Sequence, residues 1–189
     1  NNQQLVGLPG AIDDSTFLVT YGGINRTNNP FWKSVYVHNG TSTTPTRNLV
    51  AQYIAQVTKR NGEMPRLGIC GVGTWTLLMQ NFMSSEQYFI TPESQFNTAP
   101  GNSGFQAIKV GNVPIYCDPK ANEGVLFLLN TDYLALYIHE KAGFQFTGFE
   151  STLPNGQFGY IGAILTLLEL VSVKAQCHGK FDNLAFLNI

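Results

Sequence analysis

The sequence predicts an α+β fold, a mixed β-sheet with flanking helices. Three observations carry this. Apolar residues Leu49, Val50, Tyr53, Ile54 and Val57 recur at helical spacing. The run "LGICGVGTWTLLMQNF", Leu67 to Phe82, orders a short apolar strand, a glycine turn and an amphipathic helix. The stretch "FQAIKVGNVPIYCD" alternates around Gly111-Asn112, a two-residue turn between strands.

Taken in order, Asn1 to about Gly40 shows no helical period but short extended pieces broken by "GLPG", "YGGI" and "NNPFW", which is expected of a connecting strap. Thr44-Pro45 reads as an N-cap with proline at the first helical position of a helix over 46–60. Lys59 and Arg60 suit the negative end of its dipole, and Asn61-Gly62 ends it. Tyr88 to Gly104 holds Pro92, Pro100, Gly101 and Gly104 without periodicity, an exposed loop. "GVLFLLN" and "YLALYIHE" read as two strands, or a strand and a short helix. "YIGAILTLLELVSVKAQC", Tyr160 to Cys177, is rich in Val and holds Gly162, and is expected to be one long central strand. "FDNLAFLNI" supplies a last short strand.

Of the 189 residues, 43% are hydrophobic but only 12% are charged, against a typical share of roughly 25%. With 13 Phe, 8 Tyr and 2 Trp, two readings fit: surfaces covered by other protein, or a β-rich domain with aromatic cross-strand pairs. The net charge is -1, from 11 basic and 12 acidic residues without a basic run, so phosphate-gripping nucleic-acid binding is not expected. No apolar run is long enough for a helical membrane span. The start at Asn1 rather than Met suggests a fragment or processed product. Cys70, Cys117 and Cys177 are odd in number and far apart, which favours reduced thiols over zinc or a disulfide framework.

Candidate chemistry is thin. From Gly71 and Gly73 a dinucleotide fingerprint needs a third glycine where Thr76 stands, and no lysine of a Walker loop lies between Arg66 and Lys109. The plainer reading is a tight strand-to-helix turn, with Thr74 near the cap and Trp75 on the sheet. His38, His139 and His178 are far apart, and no Gly-x-Ser-x-Gly elbow exists. Cys70, at a helix start, is a nucleophile or, more simply, an apolar filler. Asp13-Asp14 reads as a solvated turn with an Asx hydrogen bond rather than half a metal site. Glu169 interrupts the apolar face Ile161, Ala163, Leu165, Leu167, Val171, Val173, and is expected to pair with a basic residue of this chain or of a neighbouring copy. No catalytic, cofactor-binding or metal-binding residue is assigned.

In sequence order, "GLPGAIDD", "YGGINRTNNPFWKS", "AQYIAQVTKRNG", "PRLGICGVGTWTLLMQNF", "GFQAIKVGNVPIYCDP" and "GVLFLLNTDYLALYI" resemble the C-terminal two thirds of a tailed-phage major capsid protein of the Hong Kong 97-type fold. The resemblance spans nearly all 189 residues and is an ordered pattern rather than a catalytic signature. It implies a connecting, peripheral-domain-like strap over 1–45, an axial domain over 46–158, and C-terminal strands over 159–189 shared between axial and peripheral domains. It further implies that the N-terminal arm, extended loop and spine helix are missing here. The implied role is a non-enzymatic structural subunit of an icosahedral virion capsid, assembled in the bacterial host cytoplasm. The implied partners are copies of itself in pentamers and hexamers that enclose DNA without specific binding, and a fragment without the missing elements is compatible with a monomer. An encapsulin-like shell, a small α/β nucleotide-binding enzyme and a secreted adhesin glycosylated at Asn25 are the alternatives.

Overall fold

The computed structural model describes residues 5–83, 107–152 and 158–188. The loop expected over Tyr88 to Gly104 lies outside them. The strap is built of short pieces: α1 (Leu8–Ala11), the two-residue strands β1 (Thr20–Tyr21) and β2 (Ile24–Asn25), and a 3-10 turn at Pro30–Trp32. It continues into a nine-residue strand, β3 (Val35–Thr43), which sequence periodicity did not mark because its polar second half is mostly exposed.

Helix α2 spans Arg47–Asn61. Its N-cap is Thr46, whose side chain accepts from the Leu49 N–H at 3.3 Å, two residues beyond the Thr44 cap expected from Pro45. Such a cap contributes about 1 kcal/mol. Gly62 closes the helix in the left-handed region at φ 82°, and its N–H donates to the Thr58 carbonyl. The predicted apolar face of α2 is buried at Val50, Tyr53, Ile54 and Val57. Strand β4 (Leu67–Cys70) leads through Gly71 into α3 (Val72–Met83), as the sequence indicated.

Strands β5 (Ile108–Val110) and β6 (Val113–Cys117) form the expected hairpin, with Gly111 at φ 60°. With β7 (Leu126–Leu129) and β12 (Gly179–Leu184) they complete a six-stranded sheet in the order β3-β12-β7-β4-β6-β5. The pairs β3/β12 and β4/β6 are parallel and the others antiparallel, so the sheet is mixed.

Both faces of this sheet are covered. One packs against α2 and α3: Leu126, Leu128, Ile115 and Phe181 join Val50, Tyr53, Val57, Leu78 and Phe82. The Phe181 ring stacks on Tyr53 at 4.0 Å between centroids. The other face receives the strap, where Phe127 and Leu129 meet Ile12 and Leu8. Period-two side-chain direction explains why all four residues of β7 are buried: alternate residues serve opposite layers.

From Leu134 to Ser172 the chain leaves this body as an arm of two antiparallel pairs. Strand β8 (Leu134–Ile138) pairs with β11 (Leu168–Ser172), and β9 (Gln145–Ser151) with β10 (Tyr160–Leu165). The single long central strand expected from Tyr160 is therefore two strands with different partners, outside the large sheet. The break falls at Thr166-Leu167, where the Leu167 N–H turns to the Ala142 carbonyl and the His139 N–H to the Leu167 carbonyl. Gly162 marks a register shift, and the Phe146 ring lies where its Cβ would stand.

Candidate assembly surfaces

The glycine turn after β4 has the geometry of an anion site, and the chain fills that site itself. Exposed N–H groups and the dipole at a helix start attract negative charge. Here the Glu123 carboxylate accepts from the Gly73 N–H at 3.0 Å, the Thr74 N–H at 3.1 Å and the Thr74 hydroxyl at 3.3 Å. The Thr74 hydroxyl oxygen in turn accepts from the Gly124 N–H at 2.8 Å. A Cβ on Gly71 would stand 2.6 Å from that carboxylate, and one on Gly73 would collide with the Leu187 carbonyl oxygen. Both glycines thus admit the chain's own segments rather than a phosphate. Trp75 packs against the main core, as expected.

The reactive candidates are placed accordingly. Burial pushes the Cys70 thiol up to about 12, the opposite of what a nucleophile needs. Cys117 and Cys177 are free thiols also held above the usual range by burial. His38 lies 2.6 Å from Asp182, whose second oxygen accepts from the Tyr36 hydroxyl at 2.7 Å. The fully buried His178 accepts from the Asn130 N–H, and His139 lies on the arm, so the three do not converge.

Asp14 does form the expected Asx bond, to the Thr16 N–H at 3.1 Å. Its neighbour Asp13 departs from the solvated turn that was expected: it is fully buried and accepts from the N–H groups of Phe17 and Leu18, each at 2.9 Å. Arg26 lies 3.8 Å away, also fully buried, and donates to the carbonyls of Gly10, Ala11 and Leu18. Its guanidinium sits over the Tyr21 ring at 4.9 Å. The motifs "GAIDD" and "YGGINR" therefore build one hub that ties the strap into a single piece. That hub also reaches the arm, because the Tyr21 hydroxyl donates to the Leu170 carbonyl and accepts from the Ser172 N–H.

A second clasp holds the root of the arm. Glu63, after α2, accepts from Lys174 at 2.8 Å and from the Tyr133 hydroxyl at 3.0 Å, and both groups flank the arm. The hydrogen bond from Lys174 keeps the Glu63 carboxyl below its ordinary range. The two clasps, one on β11 and one on the residues just before β8 and just after β11, fix the arm's departure from the body.

The arm itself is apolar and exposed. Phe149 is 73% exposed and Ile164 68%, and Tyr137, Ile161 and Leu167 are exposed with them. Contiguous apolar surface of this kind marks a site of contact with another macromolecule. Of these, Ile161, Ile164 and Leu167 fall in the stretch that the sequence suggests is a central strand, since alternation and Val content do not show whether a layer covers it. Glu169 is exposed on β11, and no cationic side chain among the described residues lies within 4 Å of it.

No protein-family model matches the chain, and no curated protein matches it in sequence. Solved structures do. A chain of the Cyanophage A-1(L) capsid asymmetric unit is similar over 95% of this chain and 60% of its own length, with a TM-score of 0.64 at 16% identity. A chain of the holo-SrpI encapsulin complex from Synechococcus elongatus PCC 7942 is similar over 82% of this chain and 55% of its own, with a TM-score of 0.51 at 10% identity. This chain therefore spans little more than half the length of either neighbour. At such identities the likeness speaks to architecture, and the architecture is that of the Hong Kong 97-type capsid fold.

Proposed function

We propose that the chain is a structural, non-catalytic subunit of an icosahedral phage capsid, assembling with copies of itself into pentamers and hexamers that enclose DNA. The observation that carries this reading is the exposed apolar arm, clasped at its root to a body whose fold is that of a phage capsid subunit. A subunit meeting neighbours on several sides needs uncharged rims and aromatic centres, which accounts for a chain with 12% charged residues. Each contact then buries on the order of 1,600 Å², and repetition over a closed shell makes the sum strong. A heterologous interface closes into a ring when its rotation divides a circle.

In this reading the six-stranded sheet with α2 and α3 belongs to the axial domain, and the strap belongs to the peripheral side. Assembly takes place in the host cytoplasm and the product is the virion wall. A bacterial encapsulin shell is the second reading, favoured by the likeness to the encapsulin complex. A nucleotide-binding role is disfavoured by the Glu123 carboxylate already seated in the glycine turn.

Expression of the intact gene product, followed by sedimentation and electron microscopy, tests the proposal. Closed particles of uniform diameter are expected, and nucleic acid inside or a cargo enzyme inside separates the phage reading from the encapsulin one. Persistent monomers at all concentrations and salt conditions would overturn both.

A further inference from the structure

A concavity of about 600 Å³ lies between the strap hairpin and strand β11 of the arm. Its walls are apolar and aromatic, with Leu18, Ile24, Trp32 and Val171 among them, and its one acidic side chain is Glu169. Tyr21 forms the floor, 4% exposed, with Arg26 behind it. That arginine is spent on Asp13 and four carbonyls, that of Trp32 among them, and makes no ion pair with Glu169. Glu169 therefore stands in an aromatic-walled depression with no cation of its own chain within 4 Å among the described residues, His139 included.

We propose that this cleft is a receptor for a lysine or arginine side chain of a second copy of the chain, held by the Glu169 carboxylate against the aromatic wall. The inference rests on the shell-subunit reading and deepens it by naming a contact. Charge complementarity selects the occupant. Lys33, Lys59, Lys109, Lys120 and Lys141 make no ion pair among the described residues, so each copy offers unspent cations as well as an unspent carboxylate. A carboxylate in a cleft that Trp32 also lines suits a cation twice over, by direct attraction and by the ring's negative face. Glu169 also lines a shallow depression beside the exposed Tyr137, Ile138 and Leu167 of the arm, so a neighbour covering those residues brings its side chains to the carboxylate. Covered in this way, the pair loses solvent screening and gains strength over an exposed one.

The test uses the intact gene product as wild type, Glu169→Gln and Glu169→Lys, with the thermal midpoint of each unassembled protein as a folding control. The expected result is unchanged midpoints, an assembly threshold raised on the order of tenfold or more by Glu169→Gln, and no shells from Glu169→Lys. A cryo-electron microscopy map of the wild-type shell is expected to place a lysine or arginine nitrogen of a neighbouring subunit within about 4 Å of the carboxylate. Wild-type shells in which Glu169 faces solvent, its own chain or a different kind of molecule overturn this inference and leave the proposed function standing. A Glu169→Lys protein that assembles like wild type does the same. Failure of the wild type to form shells at all overturns the proposed function, and this contact with it.

Discussion

Strand β7 reads LFLL and is buried at all four positions, whereas β10 reads YIGAIL and is exposed at all six. Composition does not separate them. Strand β7 has a layer on each side, the helices on one face and the strap on the other, and its apolar residues are satisfied within the chain. Strand β10 has one strand beside it and, among the described residues, no layer above or below. The central strand of the body thus finds its cover within one copy, while the outer strand of the arm leaves its apolar residues exposed.

This contrast is open to attack at several points. The largest effect is expected from Phe181→Ala, which empties the space stacked on Tyr53; it should cost the isolated chain about 3–5 kcal/mol in urea unfolding. Arg26→Leu comes next. It leaves Asp13 buried without a cation and unties the strap, at a cost of about 3 kcal/mol by the same measurement.

A pH dependence of the body follows from His178. Burial drops its pKa from the usual 6.5 to about 4. Between those values the unfolded chain binds a proton that the folded chain refuses, so unfolding is favoured as pH falls. The contribution is fully present above about pH 6.5 and is lost as pH approaches 4, on the order of 3 kcal/mol in all. Urea titrations across this window should show a steeper loss for the wild type than for His178→Gln; equal slopes would assign the acid sensitivity elsewhere.

The smallest effect on the single chain belongs to the arm. Phe149→Ser should change unfolding by less than about 0.5 kcal/mol, because a ring that is 73% exposed has little to lose. The same variant should weaken assembly of the intact protein, seen as a raised threshold in light scattering. If Phe149→Ser instead destabilises the isolated chain as much as Phe181→Ala, the contrast between body and arm is wrong.

Much of the body was legible in the sequence because its signals are local. Helix α2 follows from apolar spacing and Gly62, the β5/β6 hairpin from Gly111-Asn112, and the β4 to α3 turn from its glycines. What was not legible depends on distant partners. Thr46 rather than Thr44 caps α2, since the choice depends on where the chain turns after β3. The stretch from Tyr160 to Cys177 reads as one central strand, and only its pairing with β9 and β8 shows two, of which β10 is exposed and β11 largely half-buried. Asp13 and Arg26 are 13 positions apart with no periodic signal, so neither could be recognised as buried from the residues around it. Glu123 lies 50 positions from Gly73, and nothing near either announces that one is the counter-ion of the other.

That counter-ion has a consequence for any polyanion that comes near the turn. The positive end of α3 is the kind of place where a phosphate would otherwise lodge. With Glu123 in residence the opening is sealed from within. The turn is then indifferent to phosphate in its surroundings, because its charge is already met by a side chain of the same molecule.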